Sequence, residues 1–531
     1  MRKYPVGIQS FESIRKDGYI YIDKTPLIYK MITEGKPYFL SRPRRFGKSL
    51  LVSTLEAVFL GRRELFEAFT TEDGIEQPQL YIATTNWRWE QYPVLRFDFS
   101  KDLKSMDQLE TLIDDMLAGY ERKYGITPDK PDSFIRMRNL IETAHAKTGH
   151  RVVVLVDEYD KQMLHSIGKP EEEKYVRTSF KSLFSPLKEM DDHLQFVFIT
   201  GISKFSQMGV FSTINQLDNI SLSINYEKLC GISEEELLTQ MQTDIEQLAK
   251  RIDTTADEAF AALKQNYDGY HFSEQMTDIY NPFSLVKAFR SGELKDYWFE
   301  SGTPSALINM LAQMPPIELT DIDGVECASS AFDRAFTSYK APLPVLYQSG
   351  YLTIKHYDRE LDAYTLGLPN GEVRRGFADC LYQYVMHKQD EDDLPKNALQ
   401  MAYKRFRRDN ELPAFIQAIK TFFSGIPYHL EQDNKNEHYY HAILYTLLTA
   451  FGADVRAEEP SAKGRADITL LMPKGIYVME LKYNDTAAAA IDQLRQRGYA
   501  DKYRLDPRPV TSVGLAFSSK ERNITEWQVS P

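Results

Sequence analysis

The chain has 531 residues, 43% hydrophobic and 26% charged, with a formal net charge of −12; it is too long for a single core and is expected to hold three or four domains. The acidic balance argues against a surface coated for nucleic acid, though it leaves a local basic patch open. With no apolar run long enough for a membrane helix, no apolar signal-peptide core after Met1, and Cys230, Cys327 and Cys380 far apart, a cytoplasmic protein without disulfides or membrane attachment is expected.

The first patterned stretch, Tyr19-Ile20-Tyr21-Ile22-Asp23-Lys24-Thr25-Pro26, alternates like a strand and closes on a turn signal. Tyr38-Phe39-Leu40 reads as a strand, while Leu50, Leu51, Leu55, Val58 and Phe59 recur at helical spacing. The loop between them ends in Gly47-Lys48-Ser49, the closing residues of a P-loop. Backbone N–H groups of Arg45, Phe46, Gly47 and Leu50 at the helix start would face nucleotide phosphates. Lys48 would reach the β- and γ-phosphates, and the Ser49 hydroxyl would ligate Mg²⁺. Arg42 stands where GxxxxGK[ST] has its first glycine, and Pro43 offers no N–H. The phosphate donors lie nearer the lysine, so a cradle survives that change; the plain alternative is an ordinary strand-to-helix loop.

Tyr92 to Phe99 reads as a second strand. Val152-Val153-Val154-Leu155-Val156 is the continuous aliphatic run of a parallel strand buried on both faces, and it ends in Asp157-Glu158. Asp157 would complete the Mg²⁺ shell, and Glu158 would polarise the attacking water. Phe196 to Thr200 makes a fourth strand, expected between the P-loop strand and the acidic one. There Thr200 or Ser203 would sense the γ-phosphate and Lys204 would add positive charge. Residues 228–300 read as a helical lid interrupted at Tyr267-Asp268-Gly269-Tyr270-His271-Phe272 and Tyr280-Asn281-Pro282-Phe283. The expected organisation is a P-loop domain at 1–227, the lid at 228–300, a winged-helix-like module and helical bridge at 301–430, and a last domain at 431–531.

That last domain carries a second constellation. Gly464 to Met472 and Ile476 to Lys482 read as a hairpin about Pro473-Lys474-Gly475. Folding it brings Asp467 opposite Glu480, within the roughly 5 Å that separates cross-strand Cβ atoms. Glu480 and Lys482 share one face, since side chains alternate along a strand. Two carboxylates and a lysine converging suit metal-assisted phosphodiester hydrolysis. Glu437, at the start of the preceding helix, could add a metal ligand; Arg465, Gln493 and Tyr499 could contact a bound strand. Residues 461–531 hold 11 Lys and Arg against 8 Asp and Glu, a modest phosphate-binding footprint. The plain alternative is a surface hairpin with a cross-strand salt bridge.

Together these stretches resemble bacterial proteins that join an AAA-ATPase-like region to a C-terminal PD-(D/E)XK nuclease-superfamily domain. The resemblance rests on Tyr21 to Thr25, Arg42 to Ser49, Val156 to Asp160, Thr200 to Ser206, Tyr267 to Phe272, Pro369 to Val373, Gly464 to Asp467, and Glu480 to Lys482. It implies an α/β multidomain fold: a P-loop parallel sheet with a helical lid, then a small α+β nuclease-like domain. It implies too that Arg42-Pro43 is the family's own form of the loop, and that Asp467, Glu480 and Lys482 fill the nuclease positions with Glu437 as the helix carboxylate. The leading expectation is an enzyme in which ATP and Mg²⁺ in the first domain gate a Mg²⁺-dependent nuclease acting on nucleic acid, DNA ahead of RNA, with homo-oligomerisation left open. The competing expectation is a nucleotide-dependent switch whose nuclease-like domain is inactive.

Overall fold

The computed structural model describes residues 2–35, 37–103, 105–127, 132–166, 169–202, 217–300, 322–332, 342–385, 394–425, 437–461 and 464–530. Two compact units share the chain: Met1–Trp298 with Gly324–Asn370, and Phe299–Asp323 with Gly371–Pro531.

The first unit begins with helices α1 (Phe11–Lys16) and α2 (Thr25–Glu34), followed by strand β1 (Tyr38–Ser41) and helix α3 (Lys48–Phe59). Next come β2 (Val94–Asp98), α4 (Met106–Lys123), α5 (Ser133–Thr148), β3 (Val152–Asp157), α6 (Pro170–Phe184), β4 (Leu194–Gly201) and the short β5 (Asp218–Asn219). The strands form one sheet in the order β2-β3-β4-β1-β5, every pair parallel. All six residues of β3 are buried, as its aliphatic run demands of a strand covered on both faces. Because β4 lies between β1 and β3, the P-loop and the Asp157 loop leave the same edge of the sheet, flanking the end of β4.

The alternation at Tyr19 to Pro26 does not make a strand. Its one bridge joins Tyr19 to Lys3, and α2 already begins at Thr25. The alternation is real for another reason: Ile20 and Ile22 pack against one cluster, while Tyr21 meets Phe11 with ring centroids 5.0 Å apart. Two hydrophobic neighbours on opposite sides impose a period of two without a hydrogen-bonded ladder. The turn signal works as read, with Asp23 accepting from the Thr25 N–H at 2.8 Å.

Helices α7 (Glu234–Gln240), α8 (Gln242–Arg251), α9 (Ala256–Tyr267) and α10 (Pro282–Ser291) build the helical region. Ser233 and Glu236 form a capping box at the start of α7, and Asn281 caps α10 through the Phe283 and Ser284 N–H groups. Leu237, Met241, Ile245, Leu263 and Leu285 form its core. The same unit also includes β6 (Val325–Ala328), α11 (Pro342–Ser349), β7 (Thr353–Asp358) and β8 (Ala363–Gly367), with sheet order β6-β8-β7. The expected helix-then-hairpin at Leu346 to Ile354 is thus present, but the 301–430 stretch is divided between the two units.

The second unit contains α12 (Gly371–Val385), α13 (Leu394–Asp409), α14 (Leu412–Ser424) and α15 (Glu437–Ala450), then β9 (Val455–Ser461), β10 (Gly464–Met472), β11 (Gly475–Tyr483), α16 (Ala487–Arg497), β12 (Val510–Ser518) and β13 (Asn523–Ser530). Its five-stranded sheet runs β9-β10-β11-β12-β13; only β11 and β12 are parallel, with α16 as their crossover. Among the described residues no helix is long and apolar enough to cross a membrane, and all three cysteines are free and buried.

Candidate functional site

The loop between β1 and α3 reverses through two positive φ angles, 64° at Arg45 and 93° at Gly47, the second on the residue that caps α3. A left-handed residue at the cap turns the first N–H groups of the helix toward a common point. Lys48 is buried, and its Nζ donates to the carbonyls of Arg42 and Pro43, each at 2.9 Å. Burial lowers its pKa; Asp160, Glu158 and Asp157 oppose that.

Arg42, in the place of the missing glycine, is one of the most buried large side chains in the protein. Its guanidinium donates to the carbonyls of Ser41 (2.9 Å), Ser221 (2.7 Å) and Tyr226 (3.3 Å), and lies 4.1 Å from the Phe272 ring centroid. The loop is therefore held by a side chain where other P-loops rely on glycine's backbone freedom. Tyr270 and Phe272 close around Phe46 at 4.8 and 5.4 Å, which assigns the Tyr267 to Phe272 motif to loop support. That motif is clasped in turn by Pro369-Asn370: a Cβ at Gly269 would lie 2.3 Å from the Pro369 oxygen, and Asn370 donates to the Asp268 carbonyl at 2.7 Å.

Across the sheet edge, Asp157 ends β3 beside Asp98, its register partner on β2. Burial, the largest cause, pushes its carboxyl up to about 6, with the Ser49 hydroxyl and Lys48 pulling the other way and Asp98 and Glu158 adding to the rise. Ser49 thus hydrogen-bonds Asp157, while Oδ1 of Asp157 is buried without a hydrogen-bond partner among the described residues. A hydroxyl and a carboxylate in contact, one carboxylate oxygen left over, are the donor set for a hard divalent cation, so the residues fit Mg²⁺. Glu158 follows with φ 50°, a left-handed position costing about 1 kcal/mol for a residue with a side chain.

Sequence reasoning missed Asp160. It is buried and accepts from the Ile202 N–H at 2.8 Å, tying the acidic loop to the end of β4. A Cβ at Gly201 would lie 2.4 Å from its Oδ1, so this approach needs glycine. Thr200 lies at the expected strand end, but its hydroxyl donates to the Leu40 carbonyl at 2.8 Å. Ser203 and Lys204 lie outside the described residues. An apolar cleft beside Gly47, lined by Ile22, Phe46, Leu50, Cys230, Met241 and Val286, was also not foreseen. At its edge Lys24 pairs with Glu236 at 2.6 Å, joining the N-terminal segment to the α7 capping box.

In the second unit the tight turn sets the register. Met472 pairs with Gly475 and Ile468 with Met479, so Asp467 and Glu480 are the next pair along. Asp467 Oδ2 accepts from the Leu481 N–H at 2.7 Å, which aims that carboxylate across the strands. Glu480 is buried; Gln493 on α16 donates to its Oε1, and Lys482 Nζ stands 3.4 Å from the same oxygen. His441 on α15, also unforeseen, binds the Asp467 main-chain oxygen through Nε2 at 2.8 Å. Glu437 opens α15, but its side chain lies outside the described residues. Arg465 is exposed on β10. Tyr499 lies past Gly498, the α16 cap, and is buried against Ala466, Ile491 and Leu494. Its hydroxyl reaches Gly464, where a Cβ would lie 2.6 Å away.

One further acidic grouping, Glu234, Asp268 and Asp278, has the Lys264 ammonium among its carboxylates, 2.5 Å from Glu234 and 3.1 Å from Asp278. That cation offsets only part of the charge, and Asp268, buried with neither carboxylate oxygen hydrogen-bonded among the described residues, has its carboxyl pushed up to about 7, chiefly by burial.

Residues 5–211 match the family model described as a predicted AAA-ATPase, and residues 435–527 match that of the PD-(D/E)XK nuclease superfamily. The chain is also 34% identical to an uncharacterized protein from the vnfD 5′ region of Azotobacter chroococcum mcd 1, over 99% of both chains.

Proposed function

The chain belongs to the family that joins an AAA-ATPase-like region to a PD-(D/E)XK nuclease-superfamily domain, and on that premise we propose that it is an ATP-dependent, metal-dependent nuclease. The observation that supports the proposal is the register that sets Asp467 opposite Glu480 at one end of the β10–β11 pair, with Lys482 3.4 Å from Glu480. Asp467 and Glu480 would hold Mg²⁺, which supplies Lewis-acid polarisation of a phosphoryl oxygen and a more acidic bound water. Lys482 would orient an attacking water and offset charge developing on the phosphate, with Gln493 holding Glu480 in place. Arg465 supplies positive charge for a nucleic-acid backbone, taken to be DNA.

In the first unit ATP would lie with its phosphates over the α3 N-terminus and its base in the apolar cleft beside Gly47. Lys48 would exchange the Arg42 and Pro43 carbonyls for phosphate oxygens, Ser49 and Asp157 would hold Mg²⁺, and Glu158 would orient the attacking water. Gating of the nuclease by nucleotide state is favoured by the connectivity: the chain passes from one unit to the other after Trp298, after Asp323 and after Asn370.

The test is nicking of plasmid DNA, single-stranded DNA and RNA with Mg²⁺ or Mn²⁺, with and without ATP, comparing wild type with Asp467→Ala. Metal-dependent cutting that the variant lacks, and whose rate responds to ATP, is the expected result. Cutting absent under every condition while ATP still binds would replace the nuclease reading with that of a nucleotide switch.

A further inference from the structure

The P-loop carries three arginines, and the structure gives each a different surrounding. Arg42 is buried and spent on main-chain carbonyls. Arg45 lies with its guanidinium carbon 4.0 Å from the centroid of the Phe283 ring, at the start of α10. Arg44 is exposed, and among the described residues its guanidinium has neither a hydrogen bond nor an ion pair. Yet its backbone is among the best anchored in the loop. The Trp298 indole N–H donates to the Arg44 carbonyl at 3.1 Å, and Pro43, fixed in φ by its ring, packs so closely on Gly350 that a Cβ there would lie 2.7 Å from it. A long cationic side chain therefore projects, without a partner, from a rigid backbone position between the loop's first residue and Lys48.

The charges around Lys48 ask for a further cation. Asp157, Glu158 and Asp160 all act on Lys48, so the acids outnumber the buried lysine before any nucleotide is considered. A triphosphate adds further negative charge, and hydrolysis shifts it toward the γ-phosphoryl oxygens and the leaving oxygen. Many nucleotide hydrolases meet that need with an arginine inserted from another subunit or domain. Here, besides the buried Arg42, two guanidiniums stand in the loop itself, close enough that Arg44 makes Arg45 easier to deprotonate, an effect second to burial.

Building on the ATP-hydrolysing reading of this site, we propose that Arg44 is a catalytic residue that acts on the γ-phosphate from within its own chain, in the role elsewhere filled by an arginine finger. Arg45, stacked on Phe283, steers the incoming anion, and Trp298 holds Arg44 in register as a positioning residue.

The test compares wild type, Arg44→Ala, Arg44→Lys and Lys48→Ala for three quantities: ADP affinity, the gain in ADP affinity on adding aluminium fluoride, and steady-state ATP hydrolysis per chain across a range of protein concentrations. Arg44→Ala is expected to keep ADP affinity within about threefold, to lose the aluminium fluoride gain, and to hydrolyse ATP roughly 10³-fold more slowly. Arg44→Lys keeps the charge without the planar fork and is expected to fall between. Wild-type turnover per chain is expected not to change with protein concentration. If Arg44→Ala keeps both wild-type turnover and the aluminium fluoride gain, or if turnover per chain rises with concentration, the arginine acts from elsewhere and the assignment is overturned. Lys48→Ala separates the two levels of inference: ATP affinity and turnover unchanged there would overturn the P-loop reading itself, not merely the role of Arg44.

Discussion

Each site leaves one buried carboxylate oxygen without a hydrogen-bond partner among the described residues, Oδ1 of Asp157 in the first and Oε2 of Glu480 in the second, but the two hold the rest of their carboxylates differently. In the second unit the Leu481 N–H donates to Asp467, while Gln493 and Lys482 both approach Oε1 of Glu480. In the first, Asp157 has the Ser49 hydroxyl and an oxygen without a hydrogen-bond partner, and its carboxyl is pushed up to about 6. A carboxylate already hydrogen-bonded keeps its geometry whether or not a cation is present. One held in low dielectric with a donor missing gains most from a cation, and its affinity for that cation depends on pH. Both sites thus offer a cation an oxygen without a hydrogen bond among the described residues; the second holds its carboxylates with more donors, and the first adds a carboxyl whose ionisation depends on pH near 6.

The largest expected effects test whether each site is what this contrast assumes. Lys482→Ala should slow phosphodiester cutting by about 10³-fold or more, several kcal/mol of transition-state stabilisation, with little change in melting temperature; cutting at the wild-type rate would put the catalytic site elsewhere. Lys48→Ala should abolish ATP binding or turnover, read by titration with a fluorescent nucleotide. Restoring the consensus glycine sharpens the comparison from the other side. Arg42→Gly should lower stability by about 3 kcal/mol in chemical denaturation, because it strips a charged donor from the Ser41, Ser221 and Tyr226 carbonyls and leaves a cavity against Phe272. An unchanged midpoint would show that the loop stands without its buried arginine.

These contrasts also decide how much could be read in the chain. The hairpin was legible because its register is local: one tight turn sets it, and alternation places Glu480 and Lys482 on one face, whereas the His441 and Gln493 contacts come from other elements. The aliphatic run before Asp157 gave the buried parallel strand for a similar reason. What was not legible depends on partners far away in sequence. Nothing near Arg42 announces that Ser221, Tyr226 and Phe272 will enclose it, and nothing near Glu236 announces Lys24. Tyr499 was read as a contact for a bound strand, and the structure sets it in the core past the helix end. Tyr19 to Pro26 misled because packing on two sides mimics the period of a strand.

The pH response of the first site follows from Asp157. Its carboxyl titrates at about 6 in the folded protein against an ordinary value of 3.8, so the fold favours the protonated form. The stability this group contributes is therefore full below about pH 4 and is lost as pH rises through about 6. At pH 7.5 the ionised side chain costs roughly 2–3 kcal/mol. Asp157→Asn should recover part of that, raising the melting temperature of the nucleotide-free protein while abolishing its added stabilisation by Mg²⁺ and ATP. In the wild type, affinity for Mg²⁺ with ATP should fall as pH drops below about 6, where protons compete for the carboxylate. A melting temperature lower in the variant than in the wild type at pH 7.5 would mean that Asp157 is already satisfied.

The smallest effect concerns Glu158, where function and backbone preference conflict. Its φ of 50° lies where asparagine is tolerated far better than glutamate or glutamine. Glu158→Gln keeps the side chain's length and the unfavourable backbone, whereas Glu158→Asn relieves the backbone; neither can act as a base. Both variants should lose most ATP hydrolysis while still binding ATP, and Glu158→Asn should be the more stable of the two by about 0.5–1 kcal/mol. The stability difference isolates what the acidic loop stores as strain, because the charge is removed in both variants. Equal stabilities would mean that the turn after β3 relaxes once the carboxylate is gone, and the left-handed residue would then be a consequence of Glu158's charge among Asp157, Asp160 and Lys48 instead of a conformation imposed by the loop.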